Sequence, residues 1–330
     1  MLKRLFSPVG FRRRIFSIVA GLGLLSLLAV NFIAYQHARA FGHYAPAGVT
    51  TPPPEKLSLG GKINVLVNGV TLPRPENHRT PNDLGLEFET RRFPGARGAT
   101  VAAWFIPCAE ARGVVALFHG YGGSKDSLLD LAAQFREWRW ATLLVDFHGN
   151  GDSSGNDVSV GWHEAEDVAA ALSAARSFAG KRPVILYGSS MGAVAVLRAV
   201  HALGAKPDAL ILECPFDRLV TTVGRRFSAM NLPEFPLAQL LVFWGGVRQS
   251  FDGFQHNPVE YARLVTCPVL LLHGELDPRV SVEEVRSIFD HLAGPKRLEI
   301  FPGVGHESYF AVRREDWRRL VMEFVTGISL

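Results

Sequence analysis

The sequence has only three cysteines in 330 residues, Cys108, Cys214 and Cys267. They are too few and too scattered for a disulfide framework or a zinc site. The histidines lack H-x-H or H-x-x-x-H spacing with acidic partners, so neither a metal nor a cofactor is expected. A basic stripe is also missing. The net charge of +4 comes from Lys3, Arg4, Arg12, Arg13 and Arg14, and the remainder holds 30 basic against 31 acidic residues. Such a near-neutral body argues against nucleic acid as the partner. At 48% hydrophobic and 20% charged residues, the composition excludes a disordered chain.

Charge is absent altogether from Ile15 to Tyr35. As a helix at about 1.5 Å per residue, this run matches the roughly 30 Å hydrocarbon layer of a bilayer. The basic cluster before it predicts a single span with the N-terminus in the cytoplasm and the rest extracytoplasmic. Ala38-Arg39-Ala40 leaves open a cleaved leader and a secreted chain, although the apolar run is longer than a leader core. The organisation read from the sequence is therefore a basic N-terminus (1–14), an anchor (15–35), a tether and membrane-proximal segment (36–84) and a catalytic domain (85–330). Pro52-Pro53-Pro54 marks the tether, and Ile63 to Val67 could form a short strand within it.

From Gly85 onward apolar runs alternate with amphipathic stretches. Leu86–Phe93 and Thr100–Pro107 read as a hairpin about a glycine-rich turn. Strands are predicted over Val114–Phe118, Ala141–Phe147, Val184–Tyr187, Ala209–Glu213, Pro268–His273 and Arg297–Phe301. Helices are predicted over Ser127–Trp138, Val160–Phe178, Ala193–Leu203, Val282–Leu292 and Arg314–Val325. This pattern predicts an α/β fold with about eight strands, mostly parallel, and helices on both faces. About 50 residues separate Pro215 from Cys267 where one helix would do. Residues 218–262 read as a small cap, whose Phe227, Phe243 and Trp244 are candidates for lining an apolar pocket.

Chemistry concentrates in Gly188-Ser189-Ser190-Met191-Gly192, directly after an apolar run and before a helical stretch. G-x-S-x-G between strand and helix forces the central serine onto a strained turn with its hydroxyl exposed. A serine needs a base and an acid that orients the base. Asp277 and His306 each follow a strand end, in the order acid then histidine. Glu275 and Asp217 are rival acids. The glycine-rich His119-Gly120-Tyr121-Gly122-Gly123 follows another strand; the backbone N–H of Tyr121, with that of Met191, would stabilise an oxyanion. His119, His148 and His273 read as braces of loop backbone, and Glu307 as solvated or a brace.

Five pieces carry a resemblance: residues 119–123, Asp146-Phe147-His148-Gly149-Asn150-Gly151-Asp152-Ser153-Ser154-Gly155, the serine elbow, His273-Gly274-Glu275-Leu276-Asp277, and Gly305-His306. Gly161-x-x-Glu164-x-x-Asp167 adds a sixth. With these in order, residues 85–325 resemble the α/β-hydrolase superfamily, and most closely its serine aminopeptidase-like and monoacylglycerol lipase-like branch. The resemblance implies a serine hydrolase with a Ser190–His306–Asp277 triad acting on a small-molecule or lipid acyl ester. A peptidase, amidase or thioesterase would use the same triad, with Arg225, Arg226 and Arg248 as the obvious charged groups for substrate recognition. A non-catalytic binding module on the same fold is the rival from another class.

Overall fold

The computed structural model of the chain describes residues 8–45, 48, 50–52 and 57–328. Lys3, Arg4, Pro53 and Pro54, which enter the reading of the N-terminus and tether, lie outside the described residues. Eight strands form one sheet: β1 Glu89–Pro94, β2 Thr100–Ile106, β3 Val114–Phe118, β4 Ala141–Val145, β5 Val184–Ser189, β6 Ala209–Glu213, β7 Val269–Gly274 and β8 Lys296–Phe301. Their spatial order is β1-β2-β4-β3-β5-β6-β7-β8. β2 pairs antiparallel with β1 and β4, and the pairings from β4 through β8 are parallel.

The helices in chain order are α1 Pro8–Gly42, α2 Leu59–Asn68, α3 Leu129–Glu137, α4 Glu164–Ala179, α5 Met191–Leu203, α6 Leu219–Ala229, α7 Leu237–Gln249, α8 Pro258–Tyr261, α9 Val282–His291, α10 Tyr309–Val312 and α11 Arg314–Thr326. Strand side chains alternate between two cores, as a period of two requires. Val114, Ala116 and Phe118 pack with Val168 and Ala171 of α4, Val194 and Leu197 of α5, and Val285 and Ile288 of α9. Val115 and Leu117 pack on the other face with Phe135 of α3 and Trp317, Leu320 and Val321 of α11. Because both faces are covered, the central strands are solid apolar runs. That is why they were legible in the sequence.

The N-terminal part departs from the tether expected there. α1 runs unbroken for 35 residues, about 52 Å, so its last turns lie beyond an apolar span that ends at Tyr35. The C-terminal third of the helix, from Asn31 to Gly42, packs on α7. Asn31 Oδ1 accepts from Trp244 Nε1 at 3.3 Å, Tyr35 OH accepts from Arg248 at 3.0 Å, and Gly42 O accepts from Gln249 Nε2 at 2.6 Å. Tyr44 is fully buried in the main core. Residues 63–67, a possible strand by sequence, are helical in α2, capped by Ser58 Oγ accepting from Gly61 N. Composition marks the segment as linker-like. Packing against the cap makes part of it structural.

Beneath the sheet, Glu213 is buried at the end of β6 and accepts from Trp317 Nε1 at 2.8 Å. Burial, only partly offset by hydrogen bonds from Tyr187 and Trp317, pushes its carboxyl up to about 7. The folded state therefore binds this proton more tightly than the unfolded chain. The stabilisation is complete below the ordinary carboxylate range and is lost as pH rises through about 7, at roughly 1.4 kcal/mol per pH unit in that window at most. Glu213→Gln keeps an acceptor for Trp317 and removes the titration. Thermal melts between pH 5 and 8 should fall less with pH in the variant than in the wild type, and parallel profiles would reject the assignment.

Candidate active site

β5 ends in the elbow. Ser190 sits at φ 51°, ψ −114°, a conformation that non-glycine residues rarely hold and that costs about 1–3 kcal/mol. Its surroundings enforce it. A Cβ on Gly188 would lie 2.6 Å from Ala193 N, and one on Gly192 would lie 2.5 Å from Phe118 O. Glycine at both places lets α5 turn back tightly against β5 and β3. Ser190 N donates to Glu213 O at 2.8 Å, which ties the turn to β6.

The loops after β7 and β8 bring their residues to this serine. His306 Nε2 lies 3.1 Å from Ser190 Oγ, and His306 Nδ1 lies 2.6 Å from Asp277 Oδ2. Asp277 Oδ1 accepts from the backbone N–H groups of Arg279 at 2.7 Å and Val280 at 3.0 Å. Burial opposes ionisation of Asp277, but His306 and these two N–H groups outweigh it and hold the carboxyl below the usual range. The rival acids are engaged elsewhere. Glu275 accepts from Gly303 N at 2.9 Å, and Asp217 pairs with Arg218 at 2.7 Å. Glu307 accepts from Gly305 N at 3.3 Å and so braces the histidine loop.

The glycine-rich loop after β3 lies against the elbow, where a Cβ on Gly120 would stand 3.5 Å from Ser190 Cβ. Tyr121 follows it, and Met191 opens α5, where the first backbone N–H groups have no intrahelical partner. Two clamps fix this loop. Buried His119 has Nδ1 2.8 Å from Gly120 O, while its Nε2 accepts from Phe147 N at 3.3 Å. Burial lowers the His119 pKa, which favours the neutral ring that this donor–acceptor pair requires. From the other side, Gly122 N donates to Tyr44 OH at 3.0 Å and Tyr121 OH donates to Phe41 O at 2.8 Å. The loop that carries one candidate oxyanion donor is thus held by the end of α1 and the residues just after it.

The fold and part of the sequence resemble known proteins. Residues 109–242 match the family described as serine aminopeptidase, S33. The fold superposes on the Pyrococcus furiosus esterase Pf2001 with a TM-score of 0.65 at 23% identity, covering 77% of this chain and 96% of that one. The chain has the α/β-hydrolase fold. It is 25% identical over 240 residues to the uncharacterized Bacillus subtilis protein YqkD, across 72% of this chain and 79% of that protein. It is also 26% identical over 221 residues to the Danio rerio lysophosphatidylserine lipase ABHD12, of which that match covers 54%, and of this chain 63%. Esterases and lipases thus occur among the proteins this chain is similar to.

Other loop residues at this edge of the sheet are structural. His148 Nδ1 lies 2.6 Å from Asp167 Oδ2. Burial opposes the charge on His148, but Asp167 and Glu164 overcome it and raise its pKa to about 9. Glu164 accepts from Ser159 N and Gly161 N, both at 2.8 Å, so the Gly161–Glu164–Asp167 motif is a loop clasp. His273 is buried at the end of β7, where burial lowers its pKa and a backbone contact with Val280 works against that shift. Cys214, read from sequence as an ordinary buried thiol, stands at φ 42° with its sulfur within 4.8 Å of the facing Asp277 and His306 atoms. Burial pushes that thiol far up, which disfavours the thiolate a metal would need, and the other two groups bond to each other.

The cap residues fare differently. Trp244 packs edge-on against Tyr35 of α1, ring centroids 5.5 Å apart, instead of facing Ser190. Phe243 is exposed and lines a groove of about 620 Å³ with Val247, Phe251 and Phe254, away from the three loops. Phe227 lies half-buried near the end of α6. The apolar content of the cap is legible in the sequence, but its partner is not, because residues 15–35 read as a membrane anchor. Tyr44 falls in the segment 36–84, which reads as a tether. Tyr44→Phe deletes the acceptor for Gly122 N and should lower kcat by roughly tenfold with little change in KM, since one buried polar group loses its partner. Unchanged kcat in a folded variant would show that the clamp does not position the loop.

Proposed function

We propose that this chain is a membrane-anchored serine hydrolase that cleaves carboxylic esters of lipid or other apolar acyl groups. The observation that carries this reading is the unbroken line from Asp277 Oδ2 through His306 to Ser190 Oγ, at 2.6 and 3.1 Å. Asp277 orients His306 with Nδ1–H toward the carboxylate, which leaves Nε2 to accept the serine proton. Ser190 Oγ attacks the ester carbonyl while the N–H groups of Tyr121 and Met191 stabilise the oxyanion. The intermediate collapses to an acyl-enzyme, and the alcohol leaves with the proton from His306. Water then attacks the acyl-enzyme with His306 again as base, releasing the acid and restoring Ser190.

Membrane anchoring rests on α1, whose stretch from Arg12 to Gly42 is long and apolar enough to cross a bilayer. Arg12, Arg13 and Arg14 before the span favour an N-in orientation with the catalytic domain outside the cytoplasm. The cap leaves Phe235 75% exposed, with Met230 and Leu232 also open in the connection between α6 and α7, and Val247 open on α7, which packs against α1. Such apolar surface beside a span favours access to membrane-derived substrate. An oxidising-compartment reporter fused at Leu330 should be active. Activity of a cytoplasmic reporter instead would reverse the orientation.

Ser190→Ala should lower kcat by roughly 10⁴- to 10⁶-fold and abolish labelling by a fluorophosphonate probe. Asp277→Asn should cost orders of magnitude and Asp217→Asn far less; exchanged effects would move the acid. Across monoacyl esters of two to sixteen carbons, kcat/KM should rise by up to about fourfold per methylene until the acyl site is full. A flat series, or faster turnover of aminoacyl amides, would favour the peptidase reading suggested by the matched family's name.

A further inference from the structure

Three cap arginines could recognise a charged substrate, and the structure separates them. Arg225 pairs with Glu284 at 2.6 Å. Arg248 donates to Tyr35 OH at 3.0 Å, and its guanidinium lies 5.5 Å from that ring. Arg226 differs. Its guanidinium stands 6.0 Å from the Tyr121 ring and 5.9 Å from the Phe41 ring, and among the described residues it has no carboxylate in ion-pair range. The side chain is reachable from solvent.

Its place in the fold ties it to the reaction centre. Tyr121 follows Gly120, which abuts Ser190. Thr222, one turn before Arg226 on α6, donates to Arg279 O at 3.3 Å, and Arg279 N donates to Asp277 at 2.7 Å. Arg226 therefore sits between the loop of the candidate oxyanion donor and the loop of the candidate acid. Crowding by protein opposes its charge, Tyr121 offsets this only in part, and Arg279 adds like-charge repulsion. An anion there would relieve both.

Resting on the hydrolase reading above, we propose that Arg226, with Arg279 beside it, forms an anion-recognition site at the mouth of the active site. The preferred substrates are then single-chain acyl esters that carry a phosphate or carboxylate a few atoms from the scissile carbonyl. The two arginines set specificity; the triad does the chemistry.

The test uses the full chain in neutral detergent and three oleoyl esters: monooleoylglycerol, its 3-phosphate, and a carboxylate-bearing oleoyl hydroxy-acid ester. The wild type should favour at least one anionic ester over the neutral one by about tenfold in kcat/KM, a preference that narrows in high salt. Whichever anion is favoured identifies the headgroup chemistry. Arg226→Gln should collapse that ratio through KM, Arg226→Lys should restore part of it, and Arg225→Gln should leave it within about twofold. Loss of the ratio in Arg279→Gln would assign the second arginine to the site. No anionic preference in the wild type, or equal losses on all three esters in Arg226→Gln, would overturn the site. Failure of Ser190 to label with a fluorophosphonate would instead overturn the hydrolase reading on which it rests.

Discussion

The strained turn at Ser190 is the constraint on which the rest of the site depends. A serine at φ 51° persists only where its neighbours allow no alternative. Gly188 and Gly192 permit contacts too close for any side chain, and the bond from Ser190 N to Glu213 O anchors the turn to β6. The parallel sheet supplies the rigidity. β5 lies between β3 and β6, so loops at the same edge of β3, β7 and β8 converge on the serine without long connections.

Buried charge holds the neighbouring loops. Lys125 is fully buried between Asp146 and Asp152, and its ammonium lies 4.0 Å from the Trp104 ring. Asp146 also accepts from Lys125 N at 2.7 Å and Asp152 N at 2.8 Å, so the second glycine-rich loop wraps around one carboxylate. Gly151 is required there because a Cβ would fall 2.1 Å from that carboxylate. Asp167 plays a similar part, accepting from Ala96 N at 2.7 Å and His148 N at 2.9 Å. These groups touch no reacting atom in the scheme. They make the loops stiff enough to keep donors and acceptors in place.

α1 and the candidate site are mechanically joined. The end of α1 bonds to α7 through Asn31, Tyr35 and Gly42, and to the loop after β3 through Phe41, with Tyr44 just beyond. A helix with the length and composition of a membrane span thus continues into the wall of the candidate active site. Arg226 reaches the same corner, over the Phe41 and Tyr121 rings. The proposed apolar access and charge recognition both meet the clamp on the loop after β3 at the end of α1.

The sequence alone determined the sheet and the order of the chemical loops, because both are local. Solid apolar runs mark strands buried on both faces, and glycine spacing marks turns that only glycine can make. Ser190, Asp277 and His306 could be named from strand-end positions in chain order. Only tertiary structure decided what crosses the fold: that Glu275 and Asp217 serve other partners, that Trp244 belongs to the α1 contact, that Tyr44 holds the loop after β3, and that, among the described residues, Arg226 alone of the three cap arginines makes ring contacts but no hydrogen bond or ion pair. Those facts depend on distances between residues up to about two hundred positions apart, and no local pattern of residues encodes such a distance.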